Sequence, residues 1–260
     1  MEIHPSSVIS KEAEIEEGVF IGPFCVVTGK VKIGKGTRLE SHVSVGNPHG
    51  TVTLGENNRL KPGSVVGGTP QDLSYNGEDT RLIVGNGNEI RECATLNCGT
   101  VKGGGLTQIG NDNLIMAYSH VAHDCIFGDR IVLANSCQLA GHVIIDDDVK
   151  VGGVVCINQF VRIGQHAYIA GDSAVNKDIA PYTIAQGKYA VMRAANQIGM
   201  ERAGYTKEEV ESVRRAIRFL TKGNLTIEEV LDKIAKECEP SKGVEAFVSF
   251  IKSSERGLAR

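Results

Sequence analysis

The segment "YSHVAHDC", Tyr118 to Cys125, sets two histidines three apart and follows the second with an aspartate, in a chain with seven histidines in all. A neutral imidazole beside a carboxylate suits general-base work, because its unperturbed pKa of about 6.5 lies close to the operating pH. A backbone N–H exposed at a glycine corner beside it can stabilise an oxyanion. His123, Asp124 and Gly141, the last in "LAGHV", supply those parts if the fold brings them together, and the chemistry they suit is acyl transfer. The chain has no G-x-S-x-G elbow. Cys25, Cys125 and Cys137 fall at inward repeat positions, and the other cysteines of the repeats have no histidine in their own repeat. Direct transfer without a covalent acyl-enzyme is therefore the simpler reading.

Whether these residues meet depends on the elements that carry them. Apolar residues recur every sixth position from Ile3 to Val45, resume after a slip at Leu54, Leu60 and Val66, and continue with Val84, Ile90 and Leu96. After another slip they run from Ile109 without a break to Val175. The composition is only 41% hydrophobic, so chance does not produce such a series. The residue four after each is usually small or branched as well, as in Ser119, Cys125, Ile131, Cys137 and Val143. Positions i and i+4 therefore face inward, and the pair at i+2 and i+3 turns the chain. Three such units close a triangular coil, and coils stack through parallel ladders about 4.8 Å apart. The absence of Trp, 5% aromatics and 31 glycines fit a core of small aliphatic side chains.

This register predicts where the candidates lie. His123 and Asp124 occupy i+2 and i+3 of one corner, Gly141 and His142 the same corner one coil on, and Gln159 and Phe160 the next. One exposed ridge is expected to carry His123, Asp124, Gly141, His142 and Gln159. His120, at i+5, belongs on the flat face beside it. His4, His42, His49 and His166 have no such companions in the pattern.

Two segments break the frame and must bulge from the prism: "TPQDLSYNGEDT", residues 69–80, and "VKGGGLTQ", residues 101–108. Loops on a rigid scaffold commonly carry binding groups. After Gly187 the period ends. Thr206 with Glu209, and Thr226 with Glu229, are capping boxes that open helical segments, and a third helix is expected after Pro240. The organisation read from the sequence is thus mainly β: a parallel β-helix over residues 1–187 and a C-terminal α-helical domain over 188–260. No apolar run reaches the ~18 residues that cross a bilayer, and "MEIHPSSVIS" lacks the features of a secretory signal, which points to a cytoplasmic protein and not an integral membrane one. Seven cysteines without a C-x-x-C imply reduced thiols, and a formal charge of −3 gives no electrostatic reason to expect nucleic acid.

The motifs "TPQDL", "IRECATLNCGT", "SHVAHDC", "LAGHV", "NQF", "IAQG" and "ERAGY", in this order and spacing, resemble the acyl-carrier-protein:UDP-N-acetylglucosamine O-acyltransferases that begin lipid A synthesis. The resemblance covers the whole chain. It implies a left-handed parallel β-helix and a homotrimer with active sites between adjacent prisms. It also implies transfer of a 3-hydroxyacyl chain from acyl carrier protein to the glucosamine 3-hydroxyl of UDP-N-acetylglucosamine. In residue terms it implies His123 as general base with Asp124 beside it and Gly141 as the oxyanion donor. His142 would contact the sugar, Asp72 the glucosamine ring, Gln159 and Arg202 would lie near the nucleotide and Asn196 beside the acyl donor, with His120 a further substrate-binding residue. Gly171 would measure the acyl chain, with Tyr189 as a second candidate stop. An unobstructed Gly171 implies a long donor, about C12 to C14.

The chain departs from the family pattern at Asn158, where a histidine is usual, at Ser74 in place of a lysine, and at Ala203 in place of one of two arginines. Some relatives accept a 3-amino sugar instead. No cofactor and no metal are expected. Two other classes fit parts of the pattern: a zinc enzyme of the carbonic-anhydrase type that recruits His120, His123 and His142, and a purely structural β-helix. Within the acyltransferases, the N-acyltransferase of the same pathway differs by an extra N-terminal domain.

Overall fold

The computed structural model describes residues 1–223 and 225–260. Its first part is a stack of triangular coils built from strands mostly two residues long. In each, the first side chain points out and the second is buried, as in His120–Val121, Gln138–Leu139, Cys156–Ile157 and Ala174–Val175. Ladder partners are parallel and 18 residues apart: His120 pairs with Gln138, Gln138 with Cys156, and Cys156 with Ala174. The six-residue period thus becomes a continuous core in which Val121, Leu139, Ile157 and Val175 are all buried.

Each corner is a tight turn with a positive φ at i+3. That position holds Tyr118, Asp124, Arg130, Ser136, His142, Asp148, Val154, Phe160, His166 and Asp172 in ten successive turns, with φ between 55° and 63°. The left-handed region is sparsely used by non-glycine residues, and here the ladders above and below impose it. At one corner the buried i+4 residues are Asn58, Asn88 and Asn113. Each carboxamide oxygen accepts from backbone one coil on: Asn88 N–H at 2.9 Å, Asn113 N–H at 2.9 Å and Ile131 N–H at 2.7 Å. Polar side chains at inward positions are tolerated because they take up turn groups that the ladder leaves unpaired.

The three faces form two sheets, since the strands Val26–Ile33 and Ser44–Leu54 run round a corner and join two faces into one. The first excursion lies between strands Val65–Gly68 and Arg81–Val84. The second is shorter than the sequence suggested. A single 3-10 turn, Val101–Gly103, leads into strand Leu106–Ile109, so residues 106–108 belong to the ladder and not to the bulge.

Past the last parallel strand, Thr183–Gln186, the chain reverses into an antiparallel strand, Val191–Ala195. Four helices follow where the caps had suggested three: α1 (Gln197–Arg202), α2 (Lys207–Thr221), α3 (Ile227–Glu237) and α4 (Lys242–Lys252). Both capping boxes are formed. The short α1 escaped notice because it contains Gly199 and its cap, Asn196, gives no capping box. The C-terminus returns to the prism, where Asp178 accepts from Arg162 N–H and from the Ser254 hydroxyl. All seven cysteines are free. Among the described residues no helix is long and apolar enough to cross a membrane.

Candidate active site

His123 follows the strand His120–Val121 and lays its ring against Gly141 of the next coil. A Cβ built on Gly141 would lie 2.5 Å from His123 Cε1, so only glycine leaves the imidazole its place. Nδ1 of His123 is 2.7 Å from Asp124 Oδ2. Asp124 is where the expectation fails. It was placed on an exposed ridge, yet its side chain is 1% exposed. Tyr118, Val154 and Phe160 share its φ and stay exposed, so what buries the Asp124 carboxylate is the second excursion lying over it. There Thr100 N–H donates to Oδ1 at 2.7 Å and the Thr100 hydroxyl to Oδ2 at 2.6 Å. The Asp124 N–H in turn donates to Thr107 Oγ1 at 2.7 Å.

A carboxylate only accepts, so the His123–Asp124 bond assigns the proton to Nδ1 and leaves Nε2 its lone pair. His142 meets the His123 ring edge-on at 5.4 Å and stacks on Phe160 at 4.5 Å. His120 bonds Thr95 Oγ1 through Nδ1 at 2.7 Å. Burial, aided by the neighbouring His123, pushes its pKa below the usual imidazole value. Gly141 N–H has no partner among the described residues.

A hollow of about 440 Å³ opens here, lined by His120, His123, Gly141, Asn158 and Gln159, with Gln71 from the first excursion above it. Asp72 stands next to Gln71. Its Oδ1 accepts from Ser74 N–H at 2.7 Å and from the Ser74 hydroxyl at 2.8 Å. Those two bonds, with weaker help from Lys102 and His123, hold its carboxyl below the usual carboxylate range. Ser74, a departure from the family pattern, is thus the partner of Asp72.

Sequence reasoning missed Gln138 and Cys156, which line the same hollow. The 18-residue step from His120 points to both. It also missed Thr100 and Thr107, which lie where the slip in the frame removes any register argument.

Asn196 and Arg202 are not in this hollow. They line a separate one of about 480 Å³ with Lys150, Tyr168 and His166, at a different corner of the prism. The Asn196 amide is occupied, accepting from Gly199 N–H at 3.1 Å and donating to His166 O at 2.8 Å. His166, expected to be without companions, stacks on Tyr182 at 5.6 Å and meets Tyr205 edge-on at 5.7 Å.

Gly171 and Tyr189 belong to the far end of the face that carries His120, Gln138 and Cys156. Gly171 stacks on Gly153, and a Cβ there would lie 3.2 Å from Gly153 O. Tyr189, 76% exposed, tips the hairpin that Ala190 N–H ties to Ala174 O at 2.8 Å.

His123, Asp124 and His142 place one potential ligand atom each within 4.8 Å of the others. Tetrahedral zinc with bonds near 2.0 Å needs ligands about 3.3 Å apart. The 2.7 Å His123–Asp124 contact is too short for that, and both Asp124 oxygens are already engaged. The set fits a hydrogen-bonded dyad better than a zinc cage.

Residues 178–259 match the family model described as UDP N-acetylglucosamine O-acyltransferase, domain 2, and residues 12–47 the bacterial transferase hexapeptide model. Among solved structures, the UDP-N-acetylglucosamine O-acyltransferase of Moraxella catarrhalis is 38% identical, with all of both chains covered and a TM-score of 0.95. The Francisella novicida enzyme is 38% identical over 99% of this chain and 94% of its own, TM-score 0.93. That of Arabidopsis is 35% identical over 99% and 100%, TM-score 0.88. With that identity along essentially its whole length, this chain belongs to the UDP-N-acetylglucosamine O-acyltransferase family.

Proposed function

We propose that this acyltransferase carries out the first step of lipid A biosynthesis. It moves a 3-hydroxyacyl chain from acyl carrier protein to the glucosamine 3-position of UDP-N-acetylglucosamine. The observation that carries the reading is the dyad: a histidine that lines a hollow and whose Nδ1 is bound at 2.7 Å by a buried carboxylate, which leaves Nε2 for the substrate. In this reading Nε2 of His123 takes the proton of the sugar hydroxyl as its oxygen attacks the thioester carbonyl. The Gly141 N–H receives the developing oxyanion. The tetrahedral intermediate then expels the carrier's thiolate, which takes from the imidazolium the proton that came from the sugar hydroxyl. Asp72 with its fixed Oδ1 holds the glucosamine, and Gln159 and His142 line its surroundings. Cys156 is not a nucleophile, and Cys156→Ala keeps most of the activity.

Two hollows at two corners support the further reading that the working site spans subunits of a trimer. Asn196 and Arg202 of one chain then face His123 of its neighbour. Mixing His123→Ala and Arg202→Ala chains during refolding should restore activity at roughly a quarter of the sites. A site confined to one chain gives no recovery. Light scattering should report three times 27.8 kDa.

The deciding assay offers the purified protein UDP-N-acetylglucosamine or its 3-amino analogue with a panel of hydroxyacyl carrier proteins. Turnover of the hydroxyl sugar with C12 to C14 donors is expected, since Gly171 leaves the end of the face open. Each methylene that loses its contact costs on the order of 0.8 kcal/mol in donor selection. Gly171→Met should shift the preference to shorter chains. A wild-type preference for C10 over C14 assigns the stop to Tyr189 instead.

A further inference from the structure

We infer that Thr100 and the glycine loop it opens form a clamp that sets the proton affinity of the His123–Asp124 dyad, which makes Thr100 a positioning residue of the reaction. The inference rests on His123 being the base.

Thr100 is 3% exposed and caps the 3-10 turn Val101–Gly103 that opens the second excursion, three residues past the strand Thr95–Asn97. Its hydroxyl has one proton to give. The oxygen already accepts from Gly103 N–H at 3.2 Å, so the proton goes to Asp124 Oδ2, 2.6 Å away. Its N–H takes Oδ1 at 2.7 Å. Each oxygen of Asp124 therefore carries a donor from Thr100 before His123 is counted.

The loop is shaped for that contact. Gly103 N–H and Gly105 N–H both turn back onto Thr100 O, at 3.0 and 2.7 Å. A Cβ on Gly103 would fall 2.1 Å from Asp124 Cγ, so any other residue displaces the carboxylate. The excursion thus lies on Asp124 as a cover and excludes water from it.

Donors on a carboxylate lower its proton affinity and that of the histidine it supports. With the Thr100 hydroxyl present, the Asp124 charge is shared among three donors. Without it, more of that charge bears on the His123 ring, which favours the imidazolium over the free base. The other titratable groups facing His123 are His142, His120 and, across the first excursion, Asp72 with Lys102 near it. All of these are unchanged by a substitution at Thr100, so the comparison isolates the clamp.

The test is the pH dependence of kcat/KM for Thr100→Val and Thr100→Ser, together with an NMR titration of the His123 ring in the same proteins. Thr100→Val should move the acid limb, and the ring titration with it, upward by about one pH unit. Thr100→Ser should keep the native profile. Should Thr100→Val fold poorly, Thr100→Ala removes the same hydroxyl with a smaller side chain and is expected to move the titration the same way. An unchanged ring titration overturns the inference, as does Thr100→Ser behaving like Thr100→Val. The ring titration needs no substrate, so it separates a failed clamp from a failed assignment of the reaction: a moved titration without turnover of the sugar nucleotide keeps the clamp and removes the proposed activity.

Discussion

Two corners of the same prism each hold a histidine and an aspartate, and they differ in who else claims the carboxylate. At the first, His123 and Asp124 are neighbours in sequence, 2.7 Å apart, and the ion-pair partners of Asp124 among the described residues are both histidines. At the second, His166 reaches Asp148 of the previous coil at 3.8 Å. Asp148 is already held by Arg130, through Nε at 2.9 Å and Nη2 at 2.7 Å. Burial alone would raise the Asp148 pKa, but Arg130, with His166 and Lys150, outweighs it and holds the carboxyl below the usual range. His166 is left with a spent partner and an aromatic stack, and burial pushes its pKa down. Proximity of a carboxylate does not by itself make a base. The proposed base differs in having a carboxylate free of arginine and fixed by neutral donors.

The largest expected effect breaks the first corner. His123→Ala should lower kcat by at least the ~10²-fold of a positioned acid-base group, while the fold survives because Asp124 keeps both of its donors from Thr100. His166→Ala should leave kcat within about tenfold and lower the melting temperature instead, since it removes the stack against Tyr182 and Tyr205. Equal losses of kcat at the two positions would erase the distinction.

Gly141→Ala comes next. Its methyl group would enter the space of the His123 ring, and the neighbour it displaces is a side chain able to swing aside. The fold should survive, and kcat should fall by roughly tenfold or more as the ring leaves its bonding geometry. Full activity in this variant means that the ring position seen over Gly141 is not the working one.

These contrasts explain how much could be read in advance. The period of six placed the coils, the inward residues and the corner shared by His123, Gly141 and His142, because the side-chain direction in a stacked strand repeats with the sequence. It failed at Asp124, since a period says which residue turns but not that an excursion folds over that corner and covers its carboxylate. Thr100 lies at the slip itself, where no register reaches. His166 looked solitary because Tyr182 and Tyr205 approach from the end of the prism and the helical region, at separations outside any hexad. Gln138 and Cys156 were legible and were passed over: both lie on the 18-residue step from His120.

A smaller effect sharpens the contrast through pH. Burial holds the folded-state pKa of His166, and likewise of His120, below the value of about 6.5 found in an unfolded chain. Between the folded and unfolded values the unfolded chain binds more protons, so stability rises with pH there and is lost as pH falls through about 6.5. The melting temperature should therefore drop on acidification from pH 7.5 to 5.5. His166→Phe, which keeps an aromatic ring in the stack, should flatten that slope. An unchanged slope would place the sensitivity at His120.

The smallest effect tests the rule itself. Arg130→Gln removes the guanidinium that occupies Asp148 and also the positive charge that disfavours a second cation nearby. Both changes make protonation of His166 easier, so its ring titration should move upward. The shift should stay below about one pH unit, because Arg130 is half exposed and water screens its charge. The variant gives the second corner the feature that marks the first, an aspartate without an arginine, while leaving the burial of His166 as it was. A clear upward shift means that competition for the carboxylate keeps the two histidines apart in character. An unmoved titration means that burial alone holds His166 neutral, and the rule then fails, because the two side chains are buried alike, His123 14% and His166 15% exposed.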